Sequence, residues 1–173
     1  MKVPVITHFG DYETNGCWII TYTSHEKWEG KTEVEAEIMP DFQILCNYLK
    51  AKDILDNEYV KYVLFIAKCQ ASGLNDSDIR YLMQHDYSAP RLHYVSDWQV
   101  EKTSKIISCL CEFCESKKRT ITKSSYSFGD ALFGGNSGSY NSAKRKIKDE
   151  LVLESTENVE SQLMDYLKRK GVL

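Results

Sequence analysis

Residues 33–38 alternate strictly between glutamate and a small or branched apolar residue, and this pattern constrains the fold more than any other feature. Val34, Ala36 and Ile38 share one face of an extended segment, because successive side chains of a strand point to opposite faces. The three glutamates share the other face, which meets solvent or a basic partner. The segment is therefore predicted to be a half-buried strand with one face on a core.

Two more strands are predicted upstream, at residues 3–9 and 17–23, the second rich in β-branched and aromatic side chains. Asn15 and Gly16 precede the second strand and favour a hairpin, since both residues tolerate positive φ. After residue 40, apolar residues recur at helical spacing, most clearly between residues 97 and 118. The predicted fold is α+β: a small N-terminal antiparallel sheet of about three strands, then a helical bundle, a Ser/Gly-rich loop and a C-terminal helix.

The chain has 173 residues, which fits one domain and at most an appendage. Its composition changes sharply between residues 124 and 142, where 6 of 19 residues are serine and 4 are glycine. This segment is predicted to be a long loop. The expected organisation is a single α+β core domain at 1–120, a flexible loop at 121–142, and a C-terminal helical segment at 143–173 that packs on the core or extends from it.

Composition also narrows the class of protein. No apolar run approaches the roughly 18 residues that span a bilayer, and the N-terminus lacks the apolar stretch of a signal peptide. Six cysteines lie in apolar surroundings and are expected to be reduced thiols. We therefore expect a soluble, cytoplasmic protein that does not associate with membranes, with no cofactor and an oligomeric state that the sequence leaves open.

Charge is distributed unevenly along the chain. Residues 1–98 carry 9 Lys/Arg against 15 Asp/Glu, and residues 99–173 carry 13 against 10. Basic residues flank the Ser/Gly-rich segment and aromatic residues are interleaved with them, as in proteins that bind single strands through phosphate contacts and base stacking. The predicted partner-binding residues are Lys117, Lys118, Arg119, Lys123, Tyr126, Phe128, Phe133, Tyr140, Lys144, Arg145, Lys146 and Lys148. The other interpretation is a surface loop between solvated helix ends.

Three cysteines, Cys109, Cys111 and Cys114, form the densest cluster of potential metal ligands. They supply three of the four ligands that zinc needs, with Cys69 or a histidine as a possible fourth. However, Cys109 and Cys111 point in nearly opposite directions on a helix, about 200° apart. The favoured interpretation is therefore buried structural thiols and no metal, with zinc as the alternative.

Arg80 and His85 have the R-x4-H spacing. This spacing resembles the motif of HEPN-type ribonucleases, in which arginine and histidine from two subunits converge on an RNA phosphodiester. The resemblance implies His85 as a proton shuttle and Arg80 as the group that holds the phosphate. HEPN domains are helical throughout, whereas this chain is predicted to contain a sheet.

A longer stretch, including Gly73, Leu82, His85 and Tyr94, is similar to the closing signature of tyrosine recombinases, with the tyrosine nine residues after the histidine. The family has a glycine before that histidine, where this chain has Gln84. Recombinases also need two arginines to neutralise the scissile phosphate, and no arginine precedes residue 80. The resemblance therefore implies a catalytically degenerate, DNA-binding relative.

The function predicted from these features is a non-enzymatic binding or regulatory protein. It contacts a protein or a nucleic acid through the basic, aromatic-containing region between residues 117 and 148. The alternatives are the HEPN-like ribonuclease and the degenerate recombinase-like domain.

Overall fold

A computed structural model describes residues 2–5, 11–26, 30–92, 95–133, 137–154 and 156–173. The fold is α+β, as predicted, with four strands and seven helices in the described residues. The chain divides into two compact units. We call Phe9–Asp41 with Lys117–Ser161 the sheet unit, and Met1–His8 with Phe42–Ser116 and Gln162–Leu173 the helical unit.

The sheet unit contains one four-stranded antiparallel sheet in the order β1-β2-β3-β4. Its strands are β1 (Tyr12–Asn15), β2 (Trp18–Glu26), β3 (Lys31–Pro40) and β4 (Arg119–Tyr126). The predicted hairpin signal is confirmed, because β1 and β2 are joined at Gly16, which has a φ of 60°. β4 comes late in the chain and pairs with β3, so β1 and β4 are the two edges of the sheet within the described part of the chain.

One face of this sheet is apolar and the other is polar. Ile20 and Ile38 lie opposite each other, as do Ala36 and Ile121, and all four side chains are buried. Helix α6 (Ser137–Val152) packs against β4, β3 and β1, and the short helix α5 (Phe128–Phe133) packs on α6. The glutamates of β3 alternate with its buried residues, as the sequence predicted.

The helical unit contains the four helices between the strands β3 and β4, together with the C-terminal part of α7 (Thr156–Arg169). Its core is formed by aliphatic and aromatic side chains that are almost fully buried, including Phe42, Leu45, Leu49, Ile106, Leu110, Phe113 and Leu163. The four helices are α1 (Phe42–Ala51), α2 (Asn57–Ala71), α3 (Asp76–His85) and α4 (Asp97–Ser116). None of the helices in the described ranges is both long and apolar enough to cross a membrane.

Local capping residues set the ends of these helices. Asp56 accepts a hydrogen bond from the backbone N–H of Tyr59 at 2.9 Å and begins α2. α4 begins at a capping box in which the Gln99 side chain accepts from the Ser96 N–H at 3.1 Å. α2 ends at Ala71 with Ser72 as its C-cap, and the following Gly73 has a φ of 82°, the left-handed conformation of a helix stop.

Two sequence predictions about local structure are wrong in the described residues. Residues 3–5 are not in a strand, and the rest of the predicted first strand lies outside the described residues. The predicted flexible loop at 121–142 contains most of β4, the whole of α5 and the start of α6. Its serines fit this structure because the buried Ser139 hydroxyl donates to the Gly30 carbonyl at 3.1 Å and reaches the Ser125 carbonyl at 3.5 Å.

Candidate interaction surface

All twelve residues that the sequence predicts to bind a partner belong to the sheet unit. Lys117 and Lys118 precede β4, which carries three more, and the remaining seven lie on α5 and α6. The structure therefore brings the predicted residues onto one compact unit, where they lie on β4, just before it, and on α5 and α6. Their individual environments, however, differ strongly between the cations and the aromatic residues.

One flank of α6 is held to β1 by ion pairs. The Lys144 ammonium lies 3.2 Å from Asp11 Oδ1 and 3.0 Å from Glu13 Oε1, and Lys148 also pairs with Glu13. The Lys144 side chain is only 11% exposed and lies over the rings of Tyr22 and Tyr140, at 4.4 and 4.9 Å from their centroids. We call this group of residues the Lys144 clamp.

The pKa values of the clamp residues reflect these contacts. The hydrogen bond from Lys148, followed by that from Lys144, lowers the pKa of Glu13 even though partial burial opposes the shift. Burial alone would lower the pKa of Lys144, but its hydrogen bonds to Glu13 and Asp11 outweigh burial and raise it. Lys144 is therefore a charged structural residue.

The other flank of α6 is held to β4, and the helix runs antiparallel to that strand. Lys123 pairs with Glu150 at 2.5 Å, and Arg119 pairs with Glu154. The Lys146 ammonium donates to a backbone carbonyl of β4, that of Ser124, at 3.0 Å. The cations on this flank are thus engaged in holding the helix.

The remaining predicted cations are in mixed environments. Lys118 pairs with Glu37 of β3 at 2.6 Å, and Lys117 also has an interaction partner. Arg145 is exposed and has no ion pair among the residues that the structure describes. Most of the predicted anion-binding charge is therefore compensated within the sheet unit.

The charge difference between the two halves of the sequence is also compensated within the sheet unit. The acidic N-terminal strands and the basic C-terminal segment fold into one unit, which carries 10 Lys/Arg against 14 Asp/Glu. The contact between Lys144 and Asp11 joins residues 133 positions apart in the chain. The asymmetry along the sequence does not become a basic surface domain.

Aromatic and aliphatic side chains around α5, in contrast, are left open to solvent. Tyr126 is 59% exposed, Phe128 68%, Leu132 61% and Phe133 87%. We call these four residues the α5 patch. Leu132 was missed by sequence reasoning, although it follows Phe128 at the i, i+4 spacing of neighbours on one helix face. The fourth predicted aromatic residue, Tyr140, is partly buried against Lys144 and is not in the patch.

The α5 patch has a fixed base. The Ser127 N–H donates to the Gly30 carbonyl at 3.1 Å, and the Ala131 N–H donates to the Ser127 carbonyl at 3.1 Å. Gly30 has a φ of 71°, and a Cβ there would lie 2.4 Å from the Ser127 oxygen and 2.9 Å from the Ala131 Cβ. Only glycine allows this close approach, so the backbone that carries the patch is positioned by the sheet.

Two buried polar atoms in the sheet unit have no hydrogen-bond partner among the described residues, Trp18 Nε1 and the Tyr22 hydroxyl. Burial, followed by the charge of Glu13, raises the pKa of Tyr22 to about 12. The Arg119 guanidinium lies over the Trp18 ring at 5.6 Å. Tyr22 is thus part of the Lys144 clamp, whereas Trp18 lies against Arg119 of β4.

Arg80 and His85 both lie on α3 and are exposed. The His85 Nδ1 atom is 2.9 Å from the Tyr81 carbonyl, and its ring stacks on the Tyr81 ring at 4.1 Å. The Arg80 Nε–H donates to the Asp76 carbonyl at 3.3 Å. Each polar group thus has a partner within its own helix, and a ribonuclease site that uses them stays a prediction.

The cysteines of the predicted zinc alternative lie on α4, which continues unbroken past them. Burial raises the pKa of the Cys111 thiol to about 11 and also raises that of Cys109, while Cys114 is fully buried. No group of three or more potential metal ligands lies together in the described part of the chain. None of the six cysteines, all of which lie in the described residues, is in a disulfide bond.

The recombinase-like signature is only partly described. Tyr94 and His93 lie outside the described residues. Gly73 follows the C-cap of α2, where the Leu74 N–H donates to the Cys69 carbonyl at 3.1 Å. The glycine of that signature therefore has a local structural role as a helix stop.

Neither protein-family models, nor curated proteins, nor solved structures gave a match to this chain.

Proposed function

We propose that this chain is a non-enzymatic binding protein that contacts a protein partner through the α5 patch. The observation that carries this proposal is the exposure of four large apolar side chains within eight residues, on a backbone fixed against Gly30. Aromatic residues are enriched at the centres of protein interfaces, where their burial supplies most of the binding energy.

The size of the patch supports this function. Aromatic side chains bury about 150–250 Å² each, so the exposed fractions of Phe128, Leu132 and Phe133, which all lie on α5, amount to roughly 400 Å². Contiguous apolar patches on monomeric proteins rarely exceed about 300–600 Å², and patches of that size are often functional. The α5 patch can therefore form the apolar centre of an interface whose rim is polar.

A protein partner is favoured over a nucleic acid because of where the cations are. Nucleic-acid binding draws its affinity from cations that contact phosphates and release counterions. Here Lys118, Lys123 and Lys144 already contact carboxylates of the sheet unit. Freeing them for phosphates would break contacts that hold α6 and β4 in place. In this proposal the protein acts as a regulatory module in the cytoplasm, where cysteines outside disulfide bonds remain reduced.

The test is capture of partners from the native host, with and without nuclease, by wild-type protein and by a Phe128→Ser, Phe133→Ser variant. Both rings are exposed, so their replacement should leave the fold intact while removing the centre of the interface. Loss of a hot-spot residue costs about 2 kcal/mol or more, or roughly 30-fold in affinity. The variant should lose the partner, and nuclease should have no effect.

A matched control is Leu153→Ser, because Leu153 is 84% exposed in the same unit but lies outside the α5 patch. It should retain the partner. Arg145→Glu tests the contribution of a cation to binding without disturbing the Lys144 clamp. Reversing the charge of Lys144 itself would break its ion pairs with Asp11 and Glu13. The result would favour nucleic-acid binding instead if the Phe128→Ser, Phe133→Ser variant kept the partner while nuclease treatment or Arg145→Glu removed it.

A further inference from the structure

β4 is an edge strand whose outer side has no partner strand in the described residues, since the sheet order ends with it. Thr120 and Thr122 on this strand are exposed. An edge strand presents unpaired backbone N–H and C=O groups, which are a template for another strand. The surface available for pairing is therefore defined by which β4 residues direct their backbone groups outward.

The hydrogen-bond register identifies those residues. In an antiparallel pair, residues that exchange hydrogen bonds alternate with residues that do not. The Ser127 N–H donates to the Gly30 carbonyl, so Ser127 directs its backbone groups toward β3. The preceding residue, Tyr126, lies opposite Lys31 and therefore directs its backbone N–H and C=O groups outward, away from β3. The outward series then continues through Ser124, Thr122 and Thr120. Independently, the Ser124 carbonyl accepts from Lys146, which requires it to be accessible from outside the β3–β4 ladder.

We propose that β4 pairs with β4 of a second copy of this chain, antiparallel and about a two-fold axis at Thr122. The axis lies at Thr122 because this is the outward-facing residue nearest the middle of Arg119–Tyr126, so the overlap is longest there. The pairing would join two four-stranded sheets into one continuous sheet. This goes beyond the proposed function, which concerns the α5 patch.

The sequence of β4 is complementary to itself in this register. Thr122 faces Thr122 of the second copy, and Thr120 faces Ser124, so hydroxyl side chains meet across the axis. Lys123 faces Ile121, and Arg119 faces Ser125, so no two cations lie directly opposite each other. A two-fold interface requires this kind of self-complementarity, because each contact occurs twice.

The strength of the dimer is limited by its size. The edge offers about six backbone hydrogen bonds, two of which require Lys146 to release the Ser124 carbonyl. It buries less than the roughly 1,200 Å² of a standard interface. We therefore expect a reversible dimer that forms as protein concentration rises from about 10 μM to about 1 mM.

The test is sedimentation equilibrium over that range with wild-type protein and two variants. Thr122→Lys places two lysines directly opposite each other at the axis, which opposes pairing. In the monomer the new lysine lies beside Glu35, its neighbour on β3, so the fold should tolerate it. Thr23→Lys is the matched control, because Thr23 is exposed and lies beside the same Glu35 from the inner strand β2.

The expected result is a wild-type dimer, association at least about tenfold weaker in Thr122→Lys, and wild-type behaviour in Thr23→Lys. Amide exchange of the wild-type protein gives a second readout, since the Thr122 N–H should exchange more slowly as concentration rises. A monomer throughout the range would overturn the proposal. So would a dimer that Thr122→Lys leaves unchanged, or one that both variants weaken equally.

Discussion

Replacing Lys144 with methionine should destabilise the protein by about 2 kcal/mol at neutral pH. The contribution of an ion pair to partly exposed carboxylates is about 0.5–1 kcal/mol, and Asp11 and Glu13 are 55% and 32% exposed. A cation over aromatic rings in a partly desolvated position adds about 1–2 kcal/mol, here from the rings of Tyr22 and Tyr140. Methionine keeps most of the side-chain packing, so the electrostatic part is isolated.

The loss should stay below the 3–5 kcal/mol seen when one member of a buried pair is removed. Glu13 keeps Lys148 as a partner, and Asp11 can regain water. The assay is urea denaturation followed by circular dichroism, with Lys105→Met as the control. Lys105 also pairs with a glutamate on its own helix, but both side chains are well exposed, so the control should show no resolvable change.

The pH dependence of this loss follows from the two pKa directions. The pKa of Glu13 is lowered from 4.5, so its pairing stabilises the fold above that value and is lost as pH falls through the lower pKa of the folded state. The pKa of Lys144 is raised from 10.5, so its contribution is complete below that value and is lost as pH rises through the higher folded pKa. The effect of Lys144→Met should be largest between these limits. An equal loss in the Lys105 control would refute the reasoning, as would a loss that does not shrink by about 0.5–1 kcal/mol when the pH falls below the lowered pKa of Glu13.

Three other predictions concern the same contacts. Tyr22→Phe should leave the free energy of unfolding unchanged or raise it by about 1 kcal/mol, because it removes a buried hydroxyl without a partner in the described residues; a clear loss in urea denaturation would show that the hydroxyl is satisfied. Gly30→Ala should lower the free energy of unfolding by at least about 1 kcal/mol more than Gly73→Ala, because both residues have positive φ but only at Gly30 would the new Cβ clash with backbone. Equal losses of free energy in the two variants would contradict this. With a thiol reagent at mild alkaline pH, Cys111 and Cys114 should react only after unfolding, while the partly exposed Cys69 and Cys109 react first; fast modification of Cys111, detected by mass spectrometry, would show that α4 opens readily.

The elements that sequence reasoning predicted correctly are those in which the alternation of apolar and polar residues along the segment shows which side chains are buried. β3 was predicted because Val34, Ala36 and Ile38 alternate with glutamates, and all three are fully buried. β4 was missed because Ile121 is its only aliphatic residue, and the other buried position is Ser125. Ser125 is buried where α6 packs on β4, and the Ser139 hydroxyl of α6 lies 3.5 Å from the Ser125 backbone carbonyl, a tertiary contact that no local pattern reveals.

The candidate surface was likewise predicted only in part. Sequence reasoning grouped the cations and aromatic residues of region 117–148, and the structure does place them on one unit. It could not foresee that Lys144 lies against Asp11, because the two residues are far apart in the chain. It also treated the cations and the rings as one surface. The fold separates them, since ion pairs occupy most of the cations while Phe128 and Phe133 remain exposed.

The most direct test of the α5 patch as a protein-binding surface is the salt dependence of the partner's dissociation constant, measured by titration at about 50 and 200 mM salt. Binding through apolar side chains should change little between these conditions, because burial of apolar surface is not screened by ions. Binding to a single-stranded nucleic acid would weaken by a slope of about 0.7 in log K per phosphate contacted, or roughly a hundredfold for four or five contacts. A constant that stays within about threefold in wild-type protein is the predicted result. A hundredfold loss of affinity at the higher salt concentration would contradict the proposed function and show that cations contribute most of the binding.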